Sequence, residues 1–281
     1  MQKSVNPRLK ALFTLLESES GSYGPLLKQA LAGAIRQNPQ EVQQLLEQEF
    51  AASVPYAVLQ TLEEICWEEL ATSLAAFAAK INPDLEEGLM LLAKFTSPTT
   101  ARGDLAAPLD EMAAQLRPAL VNAAGYPEII HILGHFIFEM REFSILPAMN
   151  DIKELSFPRF LQKKCGSGLE MACLYVCLGQ RFGLEMDIVD MAGRILVHLR
   201  DTTYQTSFLI DPLDKGKMIS EDMCRAYIRA RGLQNEPELF TPLSTRLIVR
   251  RFIANMIYVL HKMRDERRLN YLRSYLEIIK N

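Results

Sequence analysis

Cys165 opens the stretch "CGSGLEMACLYVCLG", and a thiol just ahead of an apolar helical run stands where a nucleophile would. The positive end of a helix dipole favours the thiolate, which is the reactive form of cysteine. Cys173 and Cys177 lie one turn apart on the same run, which is apolar on nearly every side, so they read as core. "HILGHFIFE" places His131, His135 and Glu139 at i, i+4 and i+8, one stripe of a helix and ligand spacing for a metal. No Cys or Asp nearby supplies a further ligand, so packing or surface histidines are expected, with no metal and no cofactor.

These groups sit in an ordinary globular composition: 281 residues, 49% hydrophobic and 23% charged, with a net charge of -3. That charge gives no reason to expect nucleic acid as a partner, or attachment to an anionic membrane by charge alone. No apolar run reaches the roughly 18 residues of a membrane span, and "MQKSVNPRLK" does not lead into a signal-peptide core. Five cysteines, an odd number lying mostly in helical patterns, suit reduced thiols, so a cytoplasmic location is expected.

Up to about residue 145 the apolar period is near 3.6 and the connections are short and polar. "NPRLKALFTLLES", "GPLLKQALAGAIRQ", "PQEVQQLLEQEF" and "PYAVLQTLEEICWEELATSLAAFAAKI" each read as amphipathic helices. "NPDLEEGLMLLAKF" predicts another, with Asn82 as cap and Pro83 at the first helical position. After about residue 185 the period changes to 2. "DIVDMAGRILVHLRD" and "TSFLIDPLDKGK" read as two antiparallel strands, joined by a turn in "RDTTYQ". In the first, Arg194, Leu196 and His198 share one face. The helical period returns in "STRLIVRRFIANMIYVLHKM" and "LNYLRSYLEII". Arg246, Arg250, Arg251, Lys262, Arg264, Arg267, Arg268 and Arg273 interleave with acids there, which predicts a solvated face, with an acidic protein partner as the sharper reading.

From about residue 84 onward the order of these elements resembles the SirB-type transglutaminase-like family, bacterial proteins with a papain-like core and a helical, TPR-like C-terminal extension. "EEGLMLLAKFTSP" is similar to its opening helix, and "LGHFIFEMREF" to its Leu-Asn-x-x-Leu-Phe-x-x-x-Gly-Phe segment, with Gly134 and Glu142 as departures. "FLQKKCGSGLEMACLYVCLGQRFGL" resembles the family's central helix. "AGRILVHL" stands where the family has Pro-Gly-His-Phe-Leu-Val, and "FLIDPLDKGKMIS" where it has Phe-Ile-Asp-Pro-Phe.

The resemblance implies an α+β, predominantly helical fold, with a papain/transglutaminase-like core and a small antiparallel sheet between flanking helices. It divides the chain into an N-terminal helical region at 1–82, the core at 83–240 and a C-terminal extension at 241–281. Active relatives use a Cys, a His and an Asp. The matching positions here are Gly168, Arg194 and Asp211. Glycine offers no nucleophile, and a guanidinium is protonated at any physiological pH, so neither role survives. An Arg194–Asp211 ion pair across adjacent strands is the expected replacement. His198 lies four strand residues from the base position, about 13 Å at about 3.3 Å per residue, too far to substitute. The expectation is a non-enzymatic, cytosolic protein-interaction or regulatory module with a protein partner and without membrane or nucleic-acid contacts. A hydrolase or acyltransferase using Cys165 is one alternative. Binding of a carboxylate or peptide at Arg194 and Asp211, in the remnant cleft beside Gly168, is the other.

Overall fold

The computed structural model describes residues 7–18, 24–37, 41–42, 45, 56–98, 100–146, 149–201, 205–232 and 241–280. Most of the helix expected in "PQEVQQLLEQEF" and the centre of the "RDTTYQ" turn lie outside the described residues. Helices α1 (Pro7–Ser18), α2 (Gly24–Gln37), α3 (Tyr56–Ala79), α4 (Leu85–Thr96), α5 (Gly103–Val121) and α6 (Tyr126–Gly134) come first. The π-helical turn His135–Met140 and strand β1 (Ser144–Ile145) follow, then α7 (Phe157–Lys163), β2 (Cys165–Gly166) and α8 (Gly168–Arg181). Strands β3 (Glu185–Met191), β4 (Arg194–Asp201), β5 (Thr206–Asp211) and β6 (Lys217–Ile219) form an antiparallel sheet in that order. Helices α9 (Glu221–Ala230), α10 (Thr245–Met263) and α11 (Glu266–Ile278) follow. The fold is thus α+β and predominantly helical, as the sequence predicts.

Two local expectations are corrected. The stretch "DIVDMAGRILVHLRD" is two strands: Met191 pairs with Arg194, and the residues between them, Ala192 and Gly193, both have positive φ, 51° and 90°. That is the backbone of a tight two-residue hairpin turn, fastened by Gly193 N–H donating to Asp190 Oδ1 at 2.8 Å. With β6 added, the expected two strands are four. Helix α4 starts later than expected: its cap is Asp84, whose carboxylate accepts from Glu87 N–H, while Asn82 and Pro83 precede the helix. An aspartate at the last extended position satisfies an orphan amide directly, so it outcompetes the Asn-Pro pair.

Packing ties the ends of the chain to its middle. Fully buried Trp67 of α3 donates to Phe95 O (3.0 Å), and Tyr275 of α11 donates to Trp67 O (2.7 Å). One apolar cluster joins α3, α4, α8, the sheet, α10 and α11. A second holds Phe13 and Leu31 of the first two helices against Leu62 and Ile65 of α3. The C-terminal arginines read as a solvated face in sequence, yet several are spent inside the fold. Arg246 donates to Ala78 O, Arg250 to Leu276 O, and Arg267 and Arg268 pair with Glu63. Arg251 pairs with Asp190 of β3. Tertiary packing explains the difference: these side chains are partly exposed, but carbonyls and acids of distant elements lie within reach of their guanidinium groups.

Tyr175 of α8 has a buried hydroxyl with no hydrogen-bond partner among the described residues, and burial pushes its pKa up. It lies against Gly216, where φ is +73° and a Cβ would stand 2.0 Å from the hydroxyl oxygen. Tyr175→Phe should therefore be neutral or stabilising by about 1 kcal/mol, since an unsatisfied group is removed. Gly216→Ala should destabilise by about 2 kcal/mol, and adding Tyr175→Phe should recover part of that loss. Urea unfolding of the three variants checks both expectations.

Candidate functional site

The site positions are set by the start of α8 and the adjoining ends of β4 and β5. Ser167 is extended and caps α8. Its hydroxyl accepts from Glu170 N–H at 3.3 Å, while Glu170 Oε2 accepts from Ser167 N–H at 2.8 Å and from Ser167 Oγ at 3.1 Å. Glu170 is fully buried, and its second carboxylate oxygen has no partner among the described residues. Desolvation, only partly countered by the Ser167 bonds, pushes its pKa up to about 8, so the carboxyl is mostly protonated at neutral pH. Sequence reasoning passed over Glu170; the Ser-x-x-Glu spacing at 167–170 is the signal that finds it.

Gly168 begins α8, and Leu213 covers it: a Cβ built there would meet the Leu213 side chain at 3.0 Å. Leu213 is held by its own N–H, which donates to Asp211 Oδ1 at 2.9 Å. The other oxygen of Asp211 accepts from Arg194 Nε at 2.9 Å and also from Arg194 Nη2. Asp211 is fully buried and the Arg194 side chain is 31% exposed. The hydrogen bond to Asp211 holds the Arg194 pKa above its ordinary value. The guanidinium also lies 5.3 Å from the ring of Tyr227 on α9, and Arg231 lies 4.9 Å from the same ring.

Strand alternation decides what these groups can do together. Leu196 and Leu209 share a cluster with Cys224 and Ile228 of α9, so Arg194 and Asp211 lie on the sheet face that α9 covers. Ile195, Val197, Leu199 and Ile210 join the cluster of α8 on the opposite face. Arg194 and Asp211 are brought together, but Gly168 starts a helix that packs on the other side, with Leu213 over it.

The remaining candidates are scattered. Cys165 is half-buried in β2, which pairs in parallel with β1. His198 is half-buried beside Asp187 and Leu209 on neighbouring strands; desolvation lowers its pKa, and its Nδ1 has no partner among the described residues. Burial pushes the Cys173 and Cys177 thiols well above the ordinary range, which leaves them inert. His135 Nδ1 lies 2.9 Å from exposed Glu139 Oε2, and the His131 ring is 6.4 Å from that of His135. Among the described residues no group of three or more His, Cys, Asp or Glu is placed to hold a metal.

Against the models of known families, residues 104–254, more than half of the chain, match the transglutaminase-like superfamily. The chain belongs to that superfamily. The matched segment runs from α5 into α10, so it contains the whole four-stranded sheet, α8, and all three positions Gly168, Arg194 and Asp211. No curated protein and no solved structure matches the chain. No helix among the described residues is long and apolar enough to cross a membrane.

Proposed function

We propose that this protein is a non-enzymatic member of the transglutaminase-like superfamily, of the SirB-type, acting as a cytoplasmic protein-interaction or regulatory module. The observation that carries the reading is Arg194. Where a general base would stand, there is a permanently charged group already bound to a buried carboxylate, and the thiol on that face, Cys224 of α9, is buried with its pKa raised by desolvation. In this reading residues 83–240 are the core that kept its shape after losing its chemistry. Residues 1–82 and 241–281 are helical regions around it, available to a protein partner.

Amidase, esterase and glutamine-transamidation assays on purified protein test the proposal, together with alkylation of Cys165 at pH 6 followed by mass spectrometry. The expected result is no turnover, and a Cys165 rate no greater than that of a simple thiol. Turnover that Cys165→Ala abolishes would overturn the proposal in favour of a cysteine-dependent hydrolase or acyltransferase. A second reading has one observation in its favour: Arg194 and Arg231 flank Tyr227, and Arg231 has no carboxylate partner among the described residues. A ligand carboxylate bound there should lose affinity at least tenfold in Arg231→Glu, measured by calorimetric titration with short peptides.

A further inference from the structure

A sizeable cavity lies away from Arg194 and Gly168. It is a groove of about 810 Å³ between α3, α4 and the start of α5, within the size range of small-molecule sites. Leu62 and Leu70 from α3, Met90 and Leu91 from α4, and Leu105 from α5 give it an apolar strip, and Glu69 and Ser73 of α3 line it as well.

The rim is charged, and its charges are unequally committed. Asp84 caps α4, Glu86 pairs with Arg181, and Glu87 pairs with Lys80 at 2.6 Å. Those three acids and Lys80 sit at the end of the groove where α4 begins, while Glu69 lines it farther along α3, three residues past Cys66. At the opposite end, Lys94 occupies the last turn of α4 and Arg102 stands immediately before α5. Neither makes an ion pair with another described residue. Antiparallel packing puts Leu62 and Cys66 at this cationic end, as the Cys66 Sγ contact with Lys94 O at 3.5 Å shows. An apolar trough with two uncommitted cations at one end is complementary to a ligand with one apolar chain and one anionic head.

We propose that this groove binds a free single-chain carboxylate of the fatty-acid class, its head between Lys94 and Arg102 and its chain along Leu62, Met90 and Leu91 toward Leu70. The site is independent of the reading of Arg194: nothing in it touches the positions of the lost triad.

The test is displacement of a fluorescent long-chain carboxylate from the full-length protein by laurate, with dodecanol and dodecyltrimethylammonium as equal-length controls. Laurate should displace the probe saturably, and both controls should be at least tenfold weaker. The double variant Lys94→Glu/Arg102→Glu should weaken laurate tenfold or more; because it puts an acid in the last turn of α4 and should lower the thermal midpoint slightly, Lys94→Gln/Arg102→Gln, which should also weaken laurate, separates lost binding from lost stability. Leu91→Trp, which fills the floor, should weaken laurate and dodecanol alike. Equal affinity for all three amphiphiles, or no effect of the charge reversals, would overturn the proposal. Protein that sediments with phosphatidylglycerol vesicles but ignores monomeric laurate would move the site to a bilayer and overturn it too. A concentration-dependent dimer that the charge reversals dissolve would assign the groove to a second copy of the chain instead.

Discussion

Arg194→Met should unfold at a markedly lower denaturant concentration than the natural protein, with a loss of about 3 kcal/mol. The cause is the partner it leaves behind. Asp211 is fully buried, so without the guanidinium its charge has neither water nor a counter-ion, and breaking such a pair costs about 3–5 kcal/mol. The lower end applies because Arg194 is about a third exposed and part of its attraction is screened. Asp211→Asn should cost less, for two reasons: the amide oxygen can still accept from Leu213 N–H, and the freed guanidinium can reach solvent and the Tyr227 ring. The double variant should recover much of the Arg194→Met loss, giving a coupling energy of about 2 kcal/mol in a double-mutant cycle. Additive losses would mean that the pair is not a unit. The same geometry predicts that Gly168→Cys with Arg194→His will not restore hydrolysis, since side chain 194 points to the face under α9, while position 168 lies beneath Leu213 on a helix packed against the other face.

That pair shows what sequence could and could not deliver. Matching "AGRILVHL" and "FLIDPLDKG" to the family's strands places Arg194 and Asp211 on neighbours, and alternation gives each a face. Which helix covers that face is a tertiary fact, decided by Cys224 and Ile228 of α9, and no period in the chain encodes it. The hairpin at Ala192–Gly193 was hidden for a different reason. The alternating apolar pattern runs on through a two-residue turn, so only the positive φ angles reveal the reversal. The C-terminal arginines misled because charge on a helix predicts solvent. Their partners, Glu63, Ala78 O and Asp190, come from α3 and β3, far away in sequence. The helices themselves were legible, since each buries a stripe at the 3.6-residue period.

Glu170 provides the largest pH effect expected of this protein. In the unfolded chain its carboxyl titrates near 4.5; in the folded protein burial raises this to about 8. Below pH 4.5 both states hold the proton, and the group has no net effect. Between 4.5 and 8 the unfolded state releases the proton and the folded state keeps it, so stability falls as pH rises. Above 8 both states are ionised and the penalty is constant. At about 1.4 kcal/mol per pH unit the full penalty is on the order of 5 kcal/mol. Glu170→Gln keeps an oxygen for Ser167 N–H and Oγ but has no proton to lose. Its unsatisfied amide should cost about 1 kcal/mol at pH 4.5, and the variant should overtake the natural protein as pH rises. His198 titrates with the opposite sign: its folded pKa is lowered, so the stability it contributes is lost as pH falls. Because His198 is common to both proteins, it cancels in the comparison. Urea midpoints at half-unit steps from pH 4.5 to 8.5 should therefore converge, cross, and then separate in favour of Glu170→Gln until about pH 8. Parallel curves would show that the folded protein carries Glu170 ionised, and that the helix cap, with Ser167 donating twice into one oxygen, compensates fully for its burial.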